Sequence, residues 1–159
     1  MVVKRCYVTD RDMVDKILKD PEIYKHLGDD GSLPAENFTS LYLLTNPMIY
    51  MLKAIIEDDI AGLIGFYPRN FVSYDIHITV LPQYRGKTGV EVMKKAIDWM
   101  FENTPCRKVI ANAPTSNRPA YALAIKCGFQ KEGLLSKSYL KNGKLYDEHI
   151  LGFSKEEAS

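Results

Sequence analysis

Between Phe71 and Phe101 the chain places a histidine, an aspartate and a basic, glycine-containing turn close together. His77 and Asp75 are two residues apart, so in an extended segment they share a face. A histidine titrates near neutrality and suits general acid–base work, and an aspartate beside it can orient it. The turn Gln83-Tyr84-Arg85-Gly86-Lys87 then sets two cations around a glycine, directly before apolar residues at helical spacing (Val90, Met93, Ala96, Ile97, Met100, Phe101). A helix start presents unpaired N–H groups and the positive end of the dipole. Gly86 lets a ligand approach the backbone, and Arg85 and Lys87 add charge. Together these make an anion site, most readily for a phosphate. The plain alternative is an ordinary strand-to-helix connection with solvated charges.

The elements that must hold these groups follow from periodicity. Val72, Tyr74, Ile76, Ile78 and Val80 alternate with Ser73, Asp75, His77 and Thr79, which predicts a strand. The polar set is either a catalytic face or the solvated side of a sheet. Pro82 ends the strand, having no N–H for the ladder, and Thr88 can cap the following helix. Ahead of this lie a short strand (Val2 to Val8) and a helix capped by Thr9 or Asp10 and carrying Met13, Val14, Ile17 and Leu18. A helical turn begins at Pro21, the turn-rich run GDDGSLPAEN follows, and the segment Phe38 to Leu44 is read as helical. Two strands, Met48 to Ile56 and Ile60 to Tyr67, form a hairpin through Glu57-Asp58-Asp59. After the long helix, Arg107 to Ala113 is a strand; a right-handed crossover makes it parallel to the central one. A helix starting near Thr115-Ser116-Asn117 ends at Gly128, with Ser116 serving as a cap rather than a nucleophile. Strands Phe129 to Leu140 and Leu145 to Phe153 close the chain around an Asn142-Gly143 turn, ahead of a frayed SKEEAS tail.

Composition bounds the reading. At 159 residues the chain is one domain with room for a core. Its 21 basic and 20 acidic residues nearly balance, which argues against bulk nucleic-acid binding. No apolar run is long enough to span a membrane, and the N-terminus lacks a signal-peptide pattern. Cys6, Cys106 and Cys127 show no metal-ligand spacing and read as reduced, buried thiols of a cytoplasmic protein; no metal site is expected.

Three stretches carry a family resemblance. VLPQYRGKTG, at the end of the central strand, resembles the pyrophosphate loop of the GNAT superfamily of N-acetyltransferases, with Thr88 standing where Gly or Ala is usual. TSNRPAYALAIKCGFQKEG resembles the family's Asn-x-x-Ala then Gly-Phe segment, through Asn117, Ala120, Gly128, Phe129 and Gly133. EGLLSKSYLKNGKLYDEHILGFSKEE resembles the closing hairpin of the ribosomal-protein N-acetyltransferase branch. A narrower similarity, through DIHITVLPQYRG and WMFENTPC, is to acetyltransferase-like proteins of tailed bacteriophages. The resemblance implies an α/β (α+β) fold: a mixed sheet of about seven strands, helices on both faces, and central parallel strands that splay apart.

What it implies chemically is acetyl-CoA as co-substrate, bound by Ile78, Thr79 and Val80 along its arm and by Arg85, Gly86, Lys87, Thr88 and Gly89 around its pyrophosphate. Asn117 would either bond the arm or simply cap its helix. His77 is the candidate base, oriented by Asp75; Tyr121 is the nearest candidate to the tyrosine that many members carry where this chain has Ala124. Tyr139, Tyr146 and Asp147 are further candidates for the acceptor pocket, together with a mildly acidic segment, Tyr24, His26, Asp29 and Asp30, that could suit a cationic amine or be a solvated loop. His26 and His149 themselves read as surface residues. The expected acceptor is an amine, on a small molecule or a protein. The alternative reading is a non-catalytic phage head-assembly or virion protein that binds a phage structural partner, in the host cytoplasm or the virion.

Overall fold

A computed structural model describes residues 1–32 and 35–157. The turn expected at Leu33-Pro34 and the last two residues of the expected frayed tail lie outside the described residues. Seven strands form one sheet in the order β1-β2-β3-β4-β5-β7-β6. They are β1 (Val2–Arg5), β2 (Tyr50–Ile56), β3 (Asp59–Pro68), β4 (Ser73–Val80), β5 (Lys108–Pro114), β6 (Gln130–Lys141) and β7 (Lys144–Ser154). The helices are α1 (Arg11–Leu18), α2 (Pro21–Tyr24), α3 (Leu41–Thr45), α4 (Lys87–Asn103) and α5 (Arg118–Lys126). The mixed sheet with helices on both faces is the architecture the sequence implied.

Alternation along the strands sorts side chains into two cores. Leu52, Ile64, Phe66, Tyr74 and Ile76 face α4 and α5 and pack with Val92, Met93, Ala96 and Met100. Their neighbours Met51 and Leu63 point the other way and meet Cys6, Val14 and Leu18, with α1 and α3 above them. All three cysteines are buried and free. Burial pushes the Cys6 thiol up to about 12 and the Cys106 thiol up to about 11, so neither offers a thiolate at neutral pH.

Some boundaries differ from expectation. The first strand stops at Arg5, because Val8–Asp10 turn into a 3-10 helix whose Asp10 carboxylate accepts the Tyr7 N–H and pairs with Lys53. Thr88 is not the cap of α4: Gly86 holds the N-cap position at φ 96° and ψ −130°, a backbone state suited to glycine. Pro82 does end β4, but Pro82–Tyr84 form a short 3-10 helix before that cap.

The pairing that matters most is β4 with β5. It is parallel and covers only Ser73 to Asp75 against Lys108 to Ile110. Beyond that β4 stays paired with β3 as far as Val80, while β5 pairs with β7 as far as Pro114. The facing edges of β4 and β5 therefore diverge, as the family resemblance implied.

Phe66 is fully buried at the centre of the larger core. Phe66→Ala should lower unfolding free energy by about 3–5 kcal/mol, measurable by urea denaturation, with an unchanged slope showing that the fold survives.

Candidate active site

The divergence of β4 and β5 opens onto two adjoining hollows. One, of about 430 Å³, is lined by Ile78, Thr79 and Val80 from β4, by Arg85, by Asn117, Pro119, Ala120 and Leu123 at the start of α5, and by Ile23, His26 and Leu27 around α2. The second, of about 580 Å³, shares Val80, Arg85, Pro119 and Leu123 and continues along Gly86, Lys87, Gly89 and Val90 to Lys126. They form one groove from the splayed strand ends to the first turn of α4. Thr88 lines neither hollow, whereas the other eight residues that the family resemblance assigns to the co-substrate line one or both.

The groove suits a ligand with an amide-bearing arm and an anionic end. Its floor is strand backbone left without a partner on the β5 side. A Cβ built on Gly86 would meet nothing within 4 Å, so the glycine answers to backbone conformation rather than crowding. The helix start, with Arg85 and Lys87 beside it, is the cationic end. Asn117 serves as the N-cap of α5, its Oδ1 accepting the Ala120 N–H at 3.2 Å, while also lining the groove. Its amide nitrogen makes no bond among the described residues, so the two expected roles are compatible.

A third hollow, of about 300 Å³, lies on the opposite side of β4. Its walls are Leu18, Leu27, Phe38, Leu43, Met51 and Leu63, and its floor is Gly65, Tyr67, His77 and Thr79. Leu27 and Thr79 belong to both this pocket and the groove, so the two meet there. The polar face of β4 is thus roofed by α1 and α3 instead of being plainly solvated. His77 reaches solvent, yet the surrounding walls strip enough water from it to lower its pKa below the ordinary histidine value; the field of Asp75 opposes this more weakly. Gly65 stands opposite His77 in the ladder. Because Gly65 has no side chain, the Tyr67 ring can fold over it: a Cβ there would come within 2.9 Å of that ring. Tyr67 then meets His77 edge to face, with centroids 5.1 Å apart, and burial pushes its hydroxyl up to about 12.

Other expected residues are placed elsewhere. Asp75 bonds Arg69 at 2.5 Å and acts on His77 only through its field. Tyr121 leans on His149, with centroids 4.6 Å apart, and lines none of the three hollows. His149 is accordingly half-buried, not a surface residue, and its Nδ1 is buried without a partner among the described residues. Ser116 leaves capping to Asn117. Tyr139 donates to Gly28 O at 3.0 Å, Asp147 holds the Lys137 N–H at 2.8 Å, and Tyr146 lies under the Lys144 ammonium. None of these three lines the third hollow. The hollow's walls come from segments whose apolar residues carry no motif, whereas His26, from the mildly acidic segment, lines the groove.

A latch holds the pocket rim. The segment after α2, which supplies His26 and Leu27, is tied to the β6–β7 hairpin. The Asp30 carboxylate accepts the N–H groups of Asn142 and Gly143 at 2.7 and 2.8 Å, the Asp30 N–H donates to Leu140 O, and Lys141 donates to Lys25 O and Gly28 O.

The sequence profile of the acetyltransferase (GNAT) family matches residues 12–129. The chain belongs to this family. Among relatives, the uncharacterized N-acetyltransferase YoaA of Bacillus subtilis is 25% identical over 123 residues, covering 76% of this chain and 70% of that protein. A second protein of the same organism, provisionally named an alanine N-acetyltransferase of ribosomal protein bS18, is 28% identical over 120 residues, covering 70% and 80%. The structure of spermidine N-acetyltransferase from Vibrio cholerae in complex with CoA and spermine superimposes with a TM-score of 0.82 at 17% identity, covering 98% of this chain and 96% of that one. The shared fold is that of the GNAT family.

The two backbone hydrogen bonds from Gly143 and Asn142 hold the Asp30 carboxyl below its ordinary pKa. A depressed carboxyl pKa adds stability above the unfolded value, about 4, that is lost as pH falls through the folded value. Asp30→Ala should therefore lower the melting temperature near neutrality, and the gap from wild type should close below about pH 4. A gap that stays constant from pH 7 to pH 3 would show that the ionised carboxylate is not what holds the latch.

Proposed function

We propose that the protein transfers the acetyl group of acetyl-CoA to a primary amine by direct attack within a ternary complex. Membership of the acetyltransferase family supports the general reaction, acetyl transfer from acetyl-CoA to an amine. The observation that carries the residue-level reading is the early end of the β4–β5 pairing, which leaves strand backbone facing a groove that runs to a cationic helix start. Ile78, Thr79 and Val80 line the pantetheine arm, and backbone groups released by the splay bond its amides. Arg85, Gly86, Lys87 and Gly89, with the first-turn N–H groups that include Thr88, hold the pyrophosphate. Asn117 donates to the arm from the rim.

The acceptor enters from the third hollow, which meets the groove at Thr79 and Leu27. An ammonium cannot attack, so a proton must leave first. His77 lines that hollow and its lowered pKa keeps it neutral at physiological pH, ready to accept the proton. The amine nitrogen then bonds to the acetyl carbonyl carbon, the carbon–sulfur bond breaks, and the departing thiolate takes the proton that the attacking nitrogen sheds, so that CoA leaves as the thiol. Tyr67 fixes the imidazole by its edge contact. The alternative of a non-catalytic phage assembly protein has nothing in the groove or in the comparisons to favour it.

Calorimetric titration with acetyl-CoA and desulfo-CoA tests the groove. Both should bind, and Arg85→Ala should weaken binding about 10–100-fold, the worth of one charge-assisted hydrogen bond. Absence of binding by the wild-type protein would remove the proposal.

His77→Ala should lower kcat/KM about 100–10,000-fold and leave CoA affinity unchanged. In the wild type, the limb of the pH–rate profile that belongs to His77 should lie on the acid side of the ordinary histidine value, with activity lost as pH falls through it. A variant that keeps both the rate and that limb would move the base to another group.

A further inference from the structure

We infer that the acceptor is a small primary amine whose remaining part is apolar, a branched alkyl or a single aryl group, and that it is not a polyamine. This rests on the acyl-transfer reading of the same site and names its substrate class. The pocket that meets the groove has six apolar walls, Leu18, Leu27, Phe38, Leu43, Met51 and Leu63. Its polar groups are gathered at one end, where His77, Tyr67 and Thr79 form the floor. Among the described residues no carboxylate lines it. The volume of about 300 Å³ is at the lower end of the range for small-molecule sites.

Four carboxylates on segments around the pocket are committed elsewhere. Asp75 is paired with Arg69, Asp29 accepts the Gly31 N–H, Asp30 accepts two N–H groups of the hairpin turn, and Glu22 is paired with Lys25. A second ammonium carried into this pocket would lose its water and find no counter-charge, which is the costly way to bury an ion. An alkyl or aryl group would lose only its unfavourable hydration and meet side chains of its own kind. The amine end would lie beside the histidine, and the apolar walls favour its neutral form by the same loss of water that lowers the pKa of His77. The mildly acidic segment of the sequence that could suit a cationic acceptor is therefore architectural: its carboxylates close turns and fasten the rim.

The test uses the full-length protein in two stages. Binding of acetyl-CoA is established first by calorimetry; without it the acyl-transfer reading fails, and this inference falls with it. With binding in hand, thiol release is followed with 2-phenylethylamine, isopentylamine, ethanolamine, putrescine and spermidine. The expected kcat/KM for the first two is at least tenfold above the rest. In the desulfo-CoA complex, which cannot turn over, 2-phenylethylamine should raise the melting temperature and spermidine at equal concentration should not. Leu43→Asp, which places a carboxylate in the half-buried wall, should reduce turnover of 2-phenylethylamine and raise that of putrescine. Equal or better turnover of spermidine by the wild type overturns the inference while leaving the acyl-transfer reading intact, as does a protein that binds acetyl-CoA but neither binds nor acetylates the apolar amines.

Discussion

After three residue pairs, β4 and β5 stop sharing hydrogen bonds, and the candidate site is arranged around the gap that follows. Strand edges cannot be left bare in a folded interior, because a buried N–H or C=O without a partner costs about 1–3 kcal/mol. The sheet meets this on the outer side of each strand, by giving it a different neighbour, and leaves the inner edges facing the groove. β4 keeps its antiparallel ladder with β3, and β5 keeps one with β7, so each is held on its outer side only. The inner edges remain open to a ligand that brings its own amides. The same divergence sets Thr79 at a junction, since its residue lines both the groove and the pocket on the opposite side of the strand.

Charge is distributed unevenly along this path. Arg85, Lys87 and the start of α4 supply positive potential at one end of the groove. Around His77 the walls are apolar, and loss of water lowers the pKa of the imidazole, with Asp75 drawn aside by Arg69. On the proposed reading, the anionic co-substrate is held where positive charge is concentrated and the amine where charge is disfavoured. That arrangement separates tight holding of one substrate from activation of the other, because only an uncharged nitrogen has a lone pair to give.

The rim depends on contacts between parts of the chain far apart in sequence. The segment after α2 is fastened by the hairpin turn at Asn142-Gly143, whose N–H groups donate to the Asp30 carboxylate, and it carries Leu27 to the pocket. Gly65 makes the corresponding contribution beneath the pocket, where its missing side chain leaves room for Tyr67 to reach His77.

Much of the architecture was legible in local pattern. Period-two alternation from Val72 to Val80 assigned the faces of β4 correctly, because side-chain direction in a strand is a local consequence of the pleat. Asn142-Gly143 marked a hairpin for an equally local reason: both residues tolerate the positive φ, 53° and 74°, that the turn needs. The glycine-containing loop and the Asn117 segment were singled out locally and line one groove, because both lie at helix starts that open onto it. Tertiary structure decided what local pattern could not. Gly86 took the cap from Thr88 because the chain arrives at α4 with positive φ. Asp75 turned to Arg69, which the hairpin between β3 and β4 brings beside it. The apolar pocket assembles Leu18, Phe38, Leu43, Met51 and Leu63 from five segments, none of which carries a motif. A pocket is a relation between surfaces, and it exists only once α1, α3 and the sheet have packed around it.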